Sequence, residues 1–383
     1  MESARIEDFT LCEPVLAVSL ELSGKCWKVA LQDGRRERPA IHNAQDETPA
    51  ARLAHVVALI QECKTKWQLP TATRTAVLYE AGQDGFWIQR ALAKLGYEVL
   101  LVDPASIPVG RHARRAKTDR LDAIMLLNCL RAWLRGERDR MRVIRVPEPE
   151  AEARRHLVRD RGELQKEAGQ HRDRIRKLLR TVGCWDEVGS DFAQRLERGE
   201  VRCFDGAPLP REFGQRLERE CERLALVQQQ FAALEKSLLA QLPPQVQALI
   251  VALARLKGVG WVGAMRLVLE LFWRQFHNRR EVGSCLGLVP QPYNSGNSET
   301  DQGISKQGNR RVRALMIEMA WMWLRYQPDS ALARWFTQRT SGAATNKRGK
   351  RIAIVAVARR LAIALWRYLK DGVVPDGAQL KAV

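Results

Sequence analysis

The 383-residue sequence lacks any apolar run near the ~20 residues needed to cross a bilayer. Its first ten residues, MESARIEDFT, lack the apolar core of a secretory signal. Both absences point to a cytoplasmic, nucleoid-associated protein with no membrane partner. Paired cysteines are missing too. The eight cysteines stand at 12, 26, 63, 129, 184, 203, 221 and 285 with no CxxC among them, which argues against a zinc site and a disulfide framework. The six histidines are equally dispersed, so no metal site built on sulfur or imidazole is expected. Acid is in short supply: 44 Asp and Glu stand against 63 Lys and Arg, a net charge of +19 that calls for a polyanionic partner.

The charge is unevenly spread. Residues 1–100 hold 12 Lys and Arg against 13 Asp and Glu, whereas the remaining 283 hold 51 against 31. A neutral, acid-bearing module is therefore followed by basic modules suited to gripping a nucleic acid. With 45% hydrophobic residues the chain has ample material for two or three cores. The expected division is 1–145, 146–244 and 245–383.

Residues 14–31 read as a β-hairpin around Ser23-Gly24, with a third short strand after Asp33-Gly34. Helical spacing over 49–67, a strand over 75–79, a helix over 85–95, a strand over 97–102 and a helix over 120–133 complete a mixed α/β sheet. Its acids are placed where they can meet. Glu21 lies on the first strand, Glu80 ends a later strand, and Asp119 and Asp122 stand three apart at a helix start, on one helical face. Taken alone each could be a solvated surface charge, the better reading for Asp119 but a weaker one for Glu80, whose charge directly follows a buried apolar strand. Four carboxylates at one sheet edge repel unless divalent cations neutralise them, and oxygen-only ligands suit Mg²⁺ or Mn²⁺.

From 148 to 183 the chain turns into a charged helix with a heptad seam of Leu157, Leu164, His171 and Leu178. A second helix repeats the habit through Leu217, Leu224, Phe231 and Leu238 after a loop around Gly189–Pro210. The pair predicts an antiparallel helical hairpin or coiled-coil arm, used for self-association into a homo-oligomer. Residues 256–269 then have the spacing of a helix-hairpin-helix, in which Gly258 and Gly260 let backbone N–H groups approach a phosphate without reading sequence. Leu286–Arg313 follows: a short apolar run to Pro290, an exposed polar loop at Ser295-Gly296-Asn297-Ser298, and Lys306, Asn309, Arg310, Arg311 and Arg313 at the mouth of a helix. A capped helix start beside arginines is a natural phosphate seat. A Gly/Thr/Lys loop carrying Lys347, Arg348, Lys350 and Arg351 precedes the last helix, and residues 301–383 hold 16 basic against 5 acidic residues, the best candidate for a DNA grip.

The ordered set ELS, YEAG, KTDRLDA, a helical arm, LKGVGWVGA, LGLVPQPYNSG and GISKQGNRRVR resembles the bridge-RNA-guided insertion-sequence transposases over nearly the whole chain. That resemblance implies a RuvC-like (RNase H-like) DEDD domain whose four acids bind Mg²⁺, here Glu21, Glu80, Asp119 and Asp122. Glu21 stands where the family often has Asp. It further implies a C-terminal domain whose serine nucleophile maps to Ser295, with Ser298 the next candidate and Ser305 a phosphate contact or cap. The implied partners are donor and target DNA, a structured non-coding guide RNA, and further copies of the chain as a dimer or tetramer, one copy's acids acting with another's serine. Two other readings remain open at this point: a metal-dependent nuclease using the acids alone, and an architectural nucleic-acid-binding protein with an inactive acidic site.

Overall fold

The computed structural model describes residues 14–82, 84–107, 118–295, 298–341 and 347–381. Two compact units emerge, Met1–Val146 and Pro147–Val383.

The first unit is built on one five-stranded sheet. Strands β1 (Leu16–Glu21), β2 (Trp27–Gln32) and β3 (Ala40–Ala44) form an antiparallel meander. After helix α1 (Pro49–Lys66), β4 (Thr75–Glu80) joins β1 in parallel, and after α2 (Trp87–Lys94), β5 (Glu98–Val102) joins β4 in parallel. The order is β3-β2-β1-β4-β5, consistent with a RuvC-like mixed sheet. Helix α3 (Asp119–Leu134) covers the opposite face.

Side-chain size decides which helix lies where. On one face Leu16, Val18, Leu20, Trp27, Val77 and Tyr79 pack against α1 and α2. On the other, Ala17, Ala30 and Ala76 leave room for α3 to approach closely through Ala123, Leu126, Leu127 and Leu130. Ser19 shares that small-residue face and is fully buried; its hydroxyl donates to the Ala123 carbonyl at 2.7 Å.

The second unit begins with the arm. Helices α4 (Pro149–Thr181) and α6 (Arg211–Leu238) pack side by side, with short α5 (Phe192–Glu197) in the connection where sequence reading expected only loop. Their partners run in opposite directions: Arg161 meets Glu235, while His171, later in α4, meets Glu220, earlier in α6. The pair is therefore antiparallel; of the expected seam, His171, Leu217, Leu224 and Leu238 are buried and Leu157, Leu164, Leu178 and Phe231 half-buried, while Ile175 and Leu179 supply α4's deepest apolar contacts. His171 sits in that seam with its Nδ1 2.7 Å from Glu220, whose carboxylate also accepts from Arg174 and Arg223. Burial alone would raise the Glu220 carboxyl, but the hydrogen bonds and charges of His171 and Arg174 outweigh it and hold it below its ordinary value.

A helical core follows: α7 (Pro244–Ala254), α8 (Trp261–Leu267), a π-helical turn over Val268–Phe272, α9 (Arg279–Leu286), a two-stranded ribbon of β6 (Pro290–Ser295) and β7 (Ser298–Ile304), then α10 (Arg310–Tyr326), α11 (Ala331–Thr340) and α12 (Lys347–Asp371). Two expectations change here. Ser295 and Ser298, the two ends of the expected loop, belong to paired strands, because backbone pairing between β6 and β7 satisfies a polar segment that side-chain burial could not. Lys347, Arg348, Lys350 and Arg351 belong to the first turns of α12 rather than to a loop; the apolar series Ala353, Ile354, Val357, Leu361 and Leu365 buries one face and carries the helix back through them. Among the described residues, no helix is long and apolar enough to cross a membrane.

Candidate active-site acids and the serine ribbon

Glu21 closes β1 and Glu80 closes β4. The parallel register pairs Leu20 with Tyr79, so these acids are the next residues along two adjacent strands, whose backbones lie ~4.8 Å apart. Side chains alternate across a strand. Glu21 follows Ala17 and Ser19 by parity, and Glu80 follows Ala76 and Leu78, so both continue the row that faces α3. Lys28 stands opposite Glu21 on β2, with its ammonium 2.6 Å from Asn43 Oδ1.

Helix α3 brings the other two acids to that face. Thr118 caps it, its side chain accepting from Leu121 N, and Asp119 and Asp122 occupy the first turn, where the positive end of the helix dipole favours carboxylates. The Ser19–Ala123 hydrogen bond ties this turn to β1, two residues before Glu21 and one residue after Asp122. Glu21 and Glu80 thus end two adjacent strands on the face that α3 covers, and Asp119 and Asp122 stand in the first turn of that helix. Asp119 is exposed, and Glu21, Glu80 and Asp122 are half-buried. Among the described residues, no three acidic, histidine or cysteine side chains stand close enough to hold an ion.

In the second unit the backbone register brings Ser295 opposite Ser298 across the ribbon's end. The Ser295 side chain and residues 296 and 297 lie outside the described residues. The ribbon's base is well defined. Ser305 N donates to the Val289 carbonyl, Lys306 N to Gly287 and Asn309 N to Cys285, laying 305–309 across the end of α9. Gly287 and Gly308 have positive φ, and a Cβ on either would collide with backbone of the other segment, at Gln307 and Cys285 respectively. Lys306 is held left-handed at φ 56°, a conformation costing a non-glycine residue about 1 kcal/mol or more.

Asn309 caps α10, its Oδ1 accepting from Arg311 N at 3.0 Å and Val312 N at 3.2 Å. Lys306, Arg310 and Arg311 are exposed around this helix start. Arg313, read from the sequence as a fellow member of the phosphate seat, instead turns inward. Its Nη1 donates to the carbonyls of Leu286 and Gln307, clamping the two segments together. Gly258 has φ +82 and packs against Met322 and Trp323 of α10, while Gly260 at the start of α8 is open to solvent.

Two family models match this chain: that of the transposase IS116/IS110/IS902 family over residues 251–334, and a DEDD-type IS110 transposase model over 40–183. The protein of Sinorhizobium fredii named as transposase y4rJ is 41% identical over 380 residues, spanning 95% of this chain and 94% of its own. The chain belongs to the IS110/IS116 family of transposases. The transposase of insertion sequence IS1111A from Coxiella burnetii is 34% identical over 115 residues, 29% of this chain and 30% of its own. That of IS1328 from Yersinia enterocolitica is 25% identical over 312 residues, 80% and 87% of the two chains. Of the four acids, Glu80, Asp119 and Asp122 fall inside the DEDD match and Glu21 precedes it; Ser295 and the Lys306–Arg311 segment fall inside the other.

A DEDD-type domain points to divalent-metal use by this IS110-family transposase. Its donor set suits such an ion in kind, because carboxylate oxygens are hard ligands and the four acids stand at the ends of two adjacent strands and in one helix turn. Glu21, Glu80, Asp119 and Asp122 would hold the ion, which when bound neutralises charge on a phosphodiester.

Sequence reading missed two residues that shape these sites. Ser19 is a small polar residue inside a buried strand, and Glu270 is a single acid within the apolar run VLELF. In each case a lone polar residue where the pattern demands apolar was the available signal.

Proposed function

We propose that this IS110-family transposase excises and inserts its mobile element by cutting and rejoining DNA through a covalent phosphoserine at Ser295. The acids Glu21, Glu80, Asp119 and Asp122 bind Mg²⁺, with Mn²⁺ able to substitute. A structured non-coding RNA selects donor and target DNA by base pairing, and the acting acids and serine come from different copies in a dimer or tetramer. The observation that carries the chemistry is the arrangement of the four carboxylates at the ends of two parallel strands and the first turn of α3, in a chain whose other family match contains Ser295. The resemblance supports the RNA and the shared site. The basic balance of residues 101–383, 51 against 31, supports the polyanionic partners.

In this reading the Ser295 Oγ attacks phosphorus. The Oγ–P bond forms as a P–O bond to one sugar oxygen breaks; the serine proton leaves to a base, and the departing sugar oxygen takes one up. Energy kept in the phosphoserine permits the reverse attack by another strand's hydroxyl, so rejoining needs no further energy source. Serine is a weak nucleophile without such help. Lys306, Asn309, Arg310 and Arg311, with the turn at Gly258 and Gly260, hold phosphates nearby.

The test uses purified protein with its co-purifying RNA and DNA carrying the element's ends, quenched in detergent. The wild type leaves a protein–DNA adduct. Ser295→Ala abolishes the adduct and strand joining while DNA binding persists, and Ser298→Ala keeps both. A Ser295→Ala protein that joins DNA at the wild-type rate refutes the nucleophile. Cutting by that variant, without adduct or joining, identifies a metal-dependent nuclease instead.

A further inference from the structure

Glu270 is 4% exposed. A buried carboxylate is costly unless charge and hydrogen bonds answer it, and here both do. Arg159 of the arm helix α4 grips it as a fork, Nε to Oε1 at 2.7 Å and Nη2 to Oε2 at 3.0 Å. Arg155, one turn earlier on α4 and also buried, lies with its guanidinium 5.3 Å from the Trp273 ring. Burial alone would raise the Glu270 carboxyl, but Arg159 above all, then the Asn309 hydrogen bond and the charge of Arg155, keep it below its ordinary value. Glu270 therefore stays ionised at neutral pH. It sits in the π-helical turn Val268–Phe272, a distortion frequent at functional positions.

The third partner gives this cluster its direction. Asn309 Nδ2 donates to Glu270 Oε2 at 3.1 Å, while the same amide's oxygen caps α10. Glu270 thereby fixes which way the Asn309 amide faces. Asn309 N is in turn bonded to Cys285, and the residues just before it are bonded to Val289 and Gly287 at the foot of the ribbon. A continuous series of hydrogen bonds runs from α4 through Arg159, Glu270 and Asn309 to the base of β6 and β7. An apolar contact could hold α4 against the turn, but it would tolerate sliding. A bidentate charge pair sharing its carboxylate with a helix cap is satisfied in one geometry only.

We propose that Glu270 is a positioning residue that couples the arm, through Arg159 and Asn309, to the ribbon carrying Ser295, so that the arm's placement sets the nucleophile's. The coupling deepens the reading of Ser295 as nucleophile and rests on it. It gives the arm a second task besides self-association: engagement of α4 by another copy or by nucleic acid reaches the ribbon through buried groups of the same chain.

Three variants test it. Glu270→Gln keeps the shape and removes the charge. Arg159→Met removes the arm's fork and touches neither the ribbon nor α10. Asn309→Ser keeps a helix cap and loses the bond to Glu270, so it remains informative if burial changes at the other two prevent folding. Adduct formation is measured on element-end DNA with the co-purified RNA, alongside half-saturating DNA and amide exchange over 303–313. In each variant the rate at saturating DNA falls at least tenfold and amides over 303–313 exchange faster; in Glu270→Gln and Arg159→Met, which lie outside the phosphate contacts, half-saturation moves less than threefold. The Glu270→Gln, Arg159→Met double variant is no slower than the slower single one, as expected for residues acting in series. Wild-type rates in Asn309→Ser, or losses that multiply in the double variant, overturn the coupling. Ser295→Ala is run beside them. If it forms adduct normally the nucleophile assignment fails, and unchanged exchange over 303–313 in Glu270→Gln then separately refutes the coupling.

Discussion

Ser19→Ala offers the sharpest test of how the acids are held. The Ser19 hydroxyl is fully buried and donates to the Ala123 carbonyl at 2.7 Å. Ala123 lies in the first turns of α3, so its carbonyl also accepts the helical bond from four residues on. Removing the hydroxyl thus strips one of two bonds from that oxygen without orphaning it, and the expected cost is about 1 kcal/mol. For a unit of this size that lowers the melting temperature by about 3 °C, leaving the protein folded at assay temperature. The functional loss should be far larger. The bond lies two residues from Glu21 and one from Asp122, and groups that orient metal-binding side chains typically matter by about 10–100-fold in affinity or activity. Mn²⁺ titration calorimetry on the purified protein should show affinity weakened about tenfold or more, with Mg²⁺-dependent cleavage of element-end DNA falling in step. Mn²⁺ affinity within twofold of wild type, together with the small melting shift, would mean that Ser19 is only packing, and that the α3 turn keeps its place without it.

Two further outcomes follow from the second unit. Glu220 and Glu270 both lie below the ordinary carboxyl value in the folded chain, so the stability they contribute is fully present above the unfolded value of about 4.3 and is lost as pH falls through the folded values. Melting of this unit should be nearly level from pH 7 to 5 and fall steeply below about pH 4, less so in Glu270→Gln; a level curve down to pH 3 contradicts the pairing. Gly308 and Gly303 both have φ near +85°, but an added Cβ meets the Cys285 backbone at Gly308 and nothing at Gly303. Gly303→Ala should cost about 1 kcal/mol from the backbone conformation alone, and Gly308→Ala clearly more in urea unfolding; equal costs refute the tight crossing of α9 by residues 305–309.

The contrast between Glu80 and Glu270 explains what was legible in the sequence. Glu80 ends an apolar run of strand length, and the position that makes it a candidate, the last residue before the chain leaves the sheet, is a property of the run itself. Asp119 and Asp122 share one helical face by a spacing that needs only the helix, and the arm's seven-residue repeats announce two long helices that pack together before any partner is known. Such features are local, so periodicity reveals them. Strand order is not local: the alternation of strands and helices pointed to a mixed sheet, and the order β3-β2-β1-β4-β5 had to come from the fold. Glu270 was illegible because its meaning comes from Arg159 and Asn309, 111 residues before it and 39 after. Arg313 misled for the same reason: adjacent to two exposed arginines in sequence, it is turned inward by carbonyls at Leu286 and Gln307 that only the crossing of two segments supplies. The ribbon shows the limit from the backbone side, since its strands are held by pairing with each other, and a polar sequence carries little trace of that. Local pattern therefore finds the candidate groups at element ends, whereas the buried polar groups that hold those ends in place must be read from the fold.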